Sequence, residues 1–306
     1  MSKQRAFVKY TKQGRIIPGS LIVTTKGGYP KDGLYGEVTT SLCCDTPCGS
    51  EPLVMEVRTI ESFFEFGFRV YNGNTVAGTI EWGDGTIDTF DLTGGSGFYY
   101  FDHNYSTPDE IPQTIKVFFT SIEGFRNLEI GDAPWKTLSV SNIPTVFAGS
   151  TTIRQVDADG SLITSLNVSG LTSLEDLYAN SCPNLAYLNV QGCTGLTNTD
   201  LSKSTICDAF ETLNFSGCSS LEYAELSGNV NLTNVIITGC LSIVFLSAQS
   251  CALTVSSVNT ILTTLDANGV LNGFVSLSGG TSAAPTGAGI TATTSLQGKG
   301  WFVDTN

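Results

Sequence analysis

Residues 174–182 read Leu-Glu-Asp-Leu-Tyr-Ala-Asn-Ser-Cys, and residues 185–193 read Leu-Ala-Tyr-Leu-Asn-Val-Gln-Gly-Cys. Both stretches fit one frame, Leu-x-x-Leu-x-Leu-x-x-Cys, with other apolar residues in some leucine positions. The frame starts again every eleven residues, apart from one three-residue insertion around Ser204 to Ala209. Later units end at Cys218, Asn229, Cys240 and Cys251. A fixed short period predicts a repeat architecture, which we assign to residues 125–252.

An eleven-residue unit is too short to make a complete coil. Two strands that pack about 10 Å apart, with a reversal after each, consume more chain than this. Two units must therefore form one coil of about 22 residues, with a short strand on each broad face. Alternation of apolar and polar residues directs Leu, Val and Phe inward. We expect a right-handed leucine-rich-repeat β-solenoid whose successive units lie on opposite faces.

The last position of the frame holds cysteine in five units and asparagine in one. The backbone turns here, and in leucine-rich repeats a buried Cys or Asn fills or satisfies that turn. Cysteine packs as a small apolar residue, so we expect buried thiols and no disulfide framework. A metal site would need convergent ligands, and the single histidine, His103, is distant in sequence.

Residues 51–124 predict a separate small β domain. Four segments show the alternating pattern of a β-strand, with every second residue on the same side: Met55, Val57 and Thr59; Phe64, Phe66 and Phe68; Ala77, Thr79 and Glu81; and Ile115, Val117 and Phe119. Between them, Trp82-Gly-Asp-Gly-Thr86 indicates a tight turn, since glycine adopts positive φ without steric cost. This length and punctuation predict an immunoglobulin-like β-sandwich.

Residues 253–306 lack the period and predict a small α/β cap for the last coil. Ser256 is positioned to cap a helix over Ser257–Asp266, and Gly273–Leu277 follows as a strand. A second helix over 290–297 and a closing strand, Trp301–Val303, complete the cap.

The composition indicates a mainly β protein with an uneven charge distribution. Glycine is abundant, at 33 of 306 residues, and only 14% of residues are charged. Seven of the fifteen basic residues precede the first acid, Asp32, although the net charge is −13. We expect residues 1–50 to anchor the chain on an acidic protein rather than on nucleic acid. The anchoring residues that we select are Arg5, Lys9, Lys12 and Arg15.

Three parts of the chain resemble known families. Trp82 to Thr86, followed by His103 and Tyr105, resembles the polycystic-kidney-disease (PKD) domain, whose pattern is Trp-Gly-Asp-Gly and then His-x-Tyr. Residues 125–251 are similar to bacterial-surface leucine-rich repeats, which serve as adhesins and binding scaffolds. The opening stretch, residues 10–44, and the closing stretch, residues 295–304, are similar to virion proteins of crAss-like tailed bacteriophages.

The resemblances imply a structural virion protein, such as a head fibre, capsid decoration or tail protein, assembled in the host cytoplasm. Its partners would be other virion proteins and a host-surface glycan or protein, and a homo-oligomer is expected. No apolar run reaches the roughly 20 residues of a membrane span, and residues 1–20 lack a signal-peptide core. A bacterial cell-surface adhesin and a particle-borne polysaccharide-degrading enzyme are the alternatives.

Few residues suit catalysis. A Ser-His-Asp or Cys-His site would have to include His103, for which packing in the sandwich is the favoured role. Glu175 and Asp176 are adjacent, so in a strand they point to opposite faces and form no catalytic pair. Four aspartates between residues 84 and 102 lack EF-hand spacing and are better explained by turns than by Ca²⁺. We predict no catalytic residue, cofactor or metal.

The outward strand positions predict a ligand surface. One face presents Asn167, Asn189, Asn214 and Ile236 beside Tyr187, and the other presents Tyr178, Asp200, Glu225 and Ser247 near Tyr223 and Phe245. Exposed aromatic residues among amides and carboxylates suit recognition of a sugar or a protein. The ligand-binding residues that we select are Asn167, Tyr187, Asn189, Asn214 and Tyr223.

Overall fold

The computed structural model is mainly β, as the composition indicates. It describes residues 5–10, 22–24, 34–38, 52–57, 63–71, 75–93, 97–105, 112–130, 137–202 and 210–306. The chain divides into two compact units, Met1–Ser50 and Glu51–Asn306.

The first unit contains a three-stranded antiparallel sheet. Its strands are β1 (Arg5–Tyr10), β2 (Ile22–Thr24) and β3 (Leu34–Val38), in the order β2-β1-β3. Two of the proposed anchoring residues, Arg5 and Lys9, belong to β1. Lys12 and Arg15 lie outside the described residues, as do Cys43, Cys44 and Cys48.

The second unit begins with two facing sheets. Its first strands are β4 (Leu53–Val57), β5 (Phe63–Val70), β6 (Val76–Glu81), β7 (Ile87–Asp91), β8 (Gly97–Asn104), β9 (Gln113–Ile122), β10 (Phe125–Glu129) and β11 (Thr137–Ser141). One sheet has the order β11-β4-β9-β6-β7, while β10, β5 and β8 belong to a ten-stranded sheet. Aromatic rings join the two sheets, since Phe68 lies 5.9 Å from Phe119 and Phe90 lies 5.1 Å from Phe101.

After a short helix, α1 (Ile143–Val146), strands alternate between the ten-stranded sheet and the opposite face. They are β12 (Gln155–Asp157), β13 (Ser165–Asn167), β14 (Asp176–Tyr178), β15 (Tyr187–Asn189), β16 (Asn198–Asp200), β17 (Thr212–Asn214), β18 (Tyr223–Glu225), β19 (Asn234–Ile236) and β20 (Phe245–Ser247). All pairs among them are parallel, and Leu166 faces Leu188, 22 residues later. We call residues 153–251 the repeat region.

The final frame position links parallel strands that are neighbours in the same sheet of the repeat region. The Sγ of Cys193 donates to the carbonyl of Val168 at 3.1 Å. In the unit that ends at Asn229, the Nδ2 of Asn229 takes the place of the thiol and donates to the carbonyl of Leu201 at 3.0 Å. Burial raises the pKa of Cys193 to about 12, which keeps the thiol protonated. The predicted burial is confirmed for Cys182, Cys193, Cys218, Cys240 and Cys251.

The C-terminal segment extends the ten-stranded sheet. Its elements are α2 (Val255–Asn268), β21 (Phe274–Ser276), α3 (Ala288–Gly298) and β22 (Phe302–Asp304), giving the sheet order β22-β21-β20-β18-β16-β14-β12-β10-β5-β8. The predicted cap at Ser256 is wrong. Thr254 has extended backbone and accepts the Ser257 N–H at 3.2 Å, so α2 begins two residues earlier than expected. Within the described residues, none of the helices combines the length and apolarity needed to cross a membrane.

Candidate functional site

The face opposite the ten-stranded sheet is split in two. Strands β13 and β15 pair, as do β17 and β19, but β15 and β17 belong to different sheets. The three-residue insertion separates β15 from β17, so that equivalent positions, Leu188 and Leu213, are 25 residues apart instead of 22. The ten-stranded sheet absorbs the same insertion, because Thr199 still pairs with Ala224. We call the four strands β13, β15, β17 and β19 the split face.

A cleft of about 350 Å³ lies at this split. The side chains that line it are Tyr187, Leu188, Asn189, Gln191, Asn214 and Ser216. Five of these six are polar and uncharged, and the Tyr187 side chain is 57% exposed. The cleft therefore presents hydrogen-bonding groups and one aromatic ring, with no formal charge among its lining residues.

Local turns fix the orientation of the asparagine amides. Asn189 Oδ1 accepts the Gln191 N–H at 3.0 Å, and Asn214 Oδ1 accepts the Ser216 N–H at 2.9 Å. Asn167 makes the same turn with the N–H of Ser169 at 3.1 Å. Because the oxygen of each amide already accepts the backbone N–H two residues later, Nδ2 is the group that each amide can offer to a ligand as a donor. The cleft is thus lined by donors at Asn189 and Asn214.

The structure places three of the five proposed ligand residues at the cleft: Tyr187 and Asn189 on β15, and Asn214 across from them. Asn167 pairs in register with Asn189 on the neighbouring strand β13, but it does not line the cleft. Tyr223 belongs to β18 in the ten-stranded sheet and is not part of this site, because successive units alternate between faces. Sequence reasoning missed Gln191 and Ser216. Their signal was their place two residues after each asparagine, where an Asx turn positions the next side chain.

The outward side of the repeat and C-terminal strands in the ten-stranded sheet has different chemistry. Its strands carry five carboxylates and no basic residue: Asp157, Asp176, Asp200, Glu225 and Asp304. Burial raises the pKa of Asp159 to about 6, and the nearby charges of Asp157 and Asp200 add to this rise. The split-face strands contain no charged residue. Among these described strands, the carboxylates therefore belong to the ten-stranded sheet.

A ladder of aromatic rings crosses this acidic face. Successive centroids lie 4.2, 4.9 and 5.2 Å apart, with interplanar angles of 6–9°, along Tyr223, Phe245, Phe274 and Phe302. Parallel, in-register pairing places each ring on the next, so the ladder follows directly from the strand register. Phe245 and Phe274 each stack on a ring at both sides, so this ladder joins the C-terminal strands to the repeat region.

His103 has a structural setting in the facing-sheet region. Its ring stacks on Trp82 at 4.8 Å, and its Nε2 lies 2.8 Å from Asp84 Oδ2. The Tyr105 hydroxyl donates to the Trp82 carbonyl at 2.8 Å, which links the residue after β8 to the start of the turn at residues 82–86. The expected packing and hydrogen bonding of His103 are confirmed. Among the described residues, no group of three or more His, Cys, Asp or Glu side chains is placed to hold a metal ion.

Comparisons with protein-family models, curated proteins and solved structures give no match for this chain. Its function therefore has to be argued from its own residues.

The turn at Asp84 is expected to make the free energy of unfolding depend on pH in the acidic range. Partial burial alone would raise the pKa of Asp84, but hydrogen bonds from Thr86 and His103 outweigh it and lower the pKa to about 2. A depressed folded-state pKa contributes stability above about pH 4, and this contribution is lost as pH falls towards about 2. Urea unfolding from pH 5 to pH 2 should show wild-type stability falling relative to Asp84→Asn. A constant difference between the two proteins across that window would contradict the prediction.

Proposed function

We propose that this chain is a non-catalytic component of a tailed-phage virion that displays a binding module. Residues 1–50 attach it to capsid or tail proteins, and residues 51–306 form a PKD-like β-sandwich, a leucine-rich-repeat solenoid and a C-terminal cap. The displayed module binds the host surface. The observation that carries this proposal is the cleft of the repeat region, whose described lining residues are uncharged and include hydrogen-bond donors, since binding sites are concave and carry a few oriented polar groups.

Further features agree with each part of the proposal. The 22-residue offset between paired strands matches a coil made of two eleven-residue units. The residues of the PKD-like pattern contact one another: His103 stacks on Trp82 and bonds to Asp84, and Tyr105 donates to the Trp82 carbonyl. The first fifty residues form their own compact unit and hold nearly half of the basic residues, which suits attachment to an acidic partner.

Mass spectrometry of purified phage particles tests the attachment. We expect this chain at a fixed stoichiometry to the major capsid protein, and its copy number will separate a capsid decoration from a tail fitting. A deletion of residues 1–50 should leave a soluble, folded body that no longer joins particles. Incorporation without residues 1–50 would disprove the anchoring role, and recovery only from the host envelope would favour a bacterial adhesin.

A further inference from the structure

The split face carries a binding chemistry that differs from the rest of the repeat region. Two amides in its cleft, Asn189 and Asn214, are held by local turns, and the hydroxyls of Tyr187 and Ser216 can both donate and accept. None of the lining residues that the structure describes carries a formal charge. These groups complement a ligand that offers many oxygen acceptors without requiring an ion pair. A nucleic acid or a phosphorylated ligand would instead need Lys or Arg, which the split-face strands lack.

We propose that the cleft between β15 and β17 binds a saccharide, with Asn189 and Asn214 donating to its oxygens and Tyr187 packing against its ring. This inference rests on the proposed host-binding function and names its ligand class. Sugar rings combine dense oxygen acceptors with apolar C–H faces, and an exposed tyrosine offers a flat apolar surface beside a hydroxyl. At about 350 Å³ the cleft is at the small end of ligand pockets, which suits a short part of a polysaccharide.

The amide orientation makes the proposal sharply testable. Asn→Asp keeps the oxygen that accepts the backbone N–H, so the turn is retained, while the Nδ2 donor becomes an oxygen. Asn167 provides a matched control. It makes the same turn and pairs in register with Asn189, but it is not a lining residue of the cleft. Asn167→Asp therefore adds the same charge one strand away without removing a donor from the cleft.

The experiment measures binding of the full chain to an immobilised panel of defined bacterial-surface oligosaccharides, followed by calorimetry with the oligosaccharide that binds best. We expect Asn189→Asp and Asn214→Asp each to weaken binding at least about tenfold, the effect of losing one good hydrogen bond. Tyr187→Ala should weaken it by a similar factor, whereas Asn167→Asp and Tyr223→Ala should bind as wild type. Affinity should change little between low and high salt, because no ion pair contributes.

Two outcomes would overturn the saccharide site. One is a panel on which no oligosaccharide binds, and the other is equal weakening by Asn167→Asp and Asn189→Asp, which would indicate a general charge effect. Neither outcome bears on attachment to the virion, which is read separately from particle composition. If the chain is present in particles at fixed stoichiometry but binds no oligosaccharide of the panel, the virion role is supported and only the saccharide site is disproved.

Discussion

Replacing Phe68 with alanine is expected to lower the free energy of unfolding by about 3–5 kcal/mol. The Phe68 side chain is fully buried between the two facing sheets. Its ring centroid lies 4.9 Å from Phe101, 5.0 Å from Phe125, 5.6 Å from Phe90 and 5.9 Å from Phe119. Truncation removes buried apolar area and leaves a cavity that rings from several strands cannot fill together. Urea unfolding of the full chain measures the change.

Phe98→Ala is the matched control for this prediction. Phe98 is 43% exposed on β8, where it stacks on Tyr100 and lies under the guanidinium of Arg69. Its removal costs exposed contacts and leaves no cavity, so a loss under about 1 kcal/mol is expected. If both substitutions shift the unfolding midpoint equally, the aromatic cluster around Phe68 is not what holds the facing sheets together.

The repeat region was the most predictable part of the fold. The period and the apolar frame depend on local sequence, and every unit of the frame repeats the same burial requirement. Leu177, Leu213 and Leu246 are buried where the frame places them, and the strand that carries each alternates between faces as expected. The fixed turn position likewise identified which cysteines are buried.

Other features depend on longer-range packing that the sequence does not display. In β6 the buried residues are Val76, Gly78 and Ile80, and the alternating positions named from the sequence, Ala77, Thr79 and Glu81, face the other side. The insertion was visible as a break in the period. Only the pairing shows that the ten-stranded sheet absorbs the insertion while the opposite face opens.

The site was partly predictable for the same reason. Asn167, Asn189 and Asn214 recur at one frame position, so their common face followed from the period. The direction of each amide required the backbone N–H two residues later, and the cleft required the split between β15 and β17. Tyr223 was grouped with these residues by its exposed ring, although its unit lies on the acidic face.

Gly78→Ala is expected to destabilise the protein by about 3 kcal/mol, the upper part of the usual range for overpacking. Gly78 lies in β6 next to an irregularity in its pairing with β9. A β-carbon there would collide with the carbonyl oxygen of Phe118 and lie 2.8 Å from Phe90 Cζ. The ring could turn aside, but the Phe118 oxygen belongs to the backbone of the neighbouring strand, so relief requires β6 and β9 to separate. Urea unfolding should show the loss, and a failure to recover folded protein would be the same result in stronger form.

Gly298→Ala tests whether steric collision, and not glycine replacement in general, is the cause. Gly298 ends α3, is exposed, and has open space around the position of a β-carbon. Alanine restricts the unfolded chain and favours helix, so this variant should be more stable by up to about 1 kcal/mol. The two substitutions add the same methyl group and should move the unfolding midpoint in opposite directions. Equal unfolding midpoints for the two variants would contradict the prediction. They would mean that β6 tolerates a β-carbon by moving away from β9, and that the tight packing of these two strands is not needed for stability.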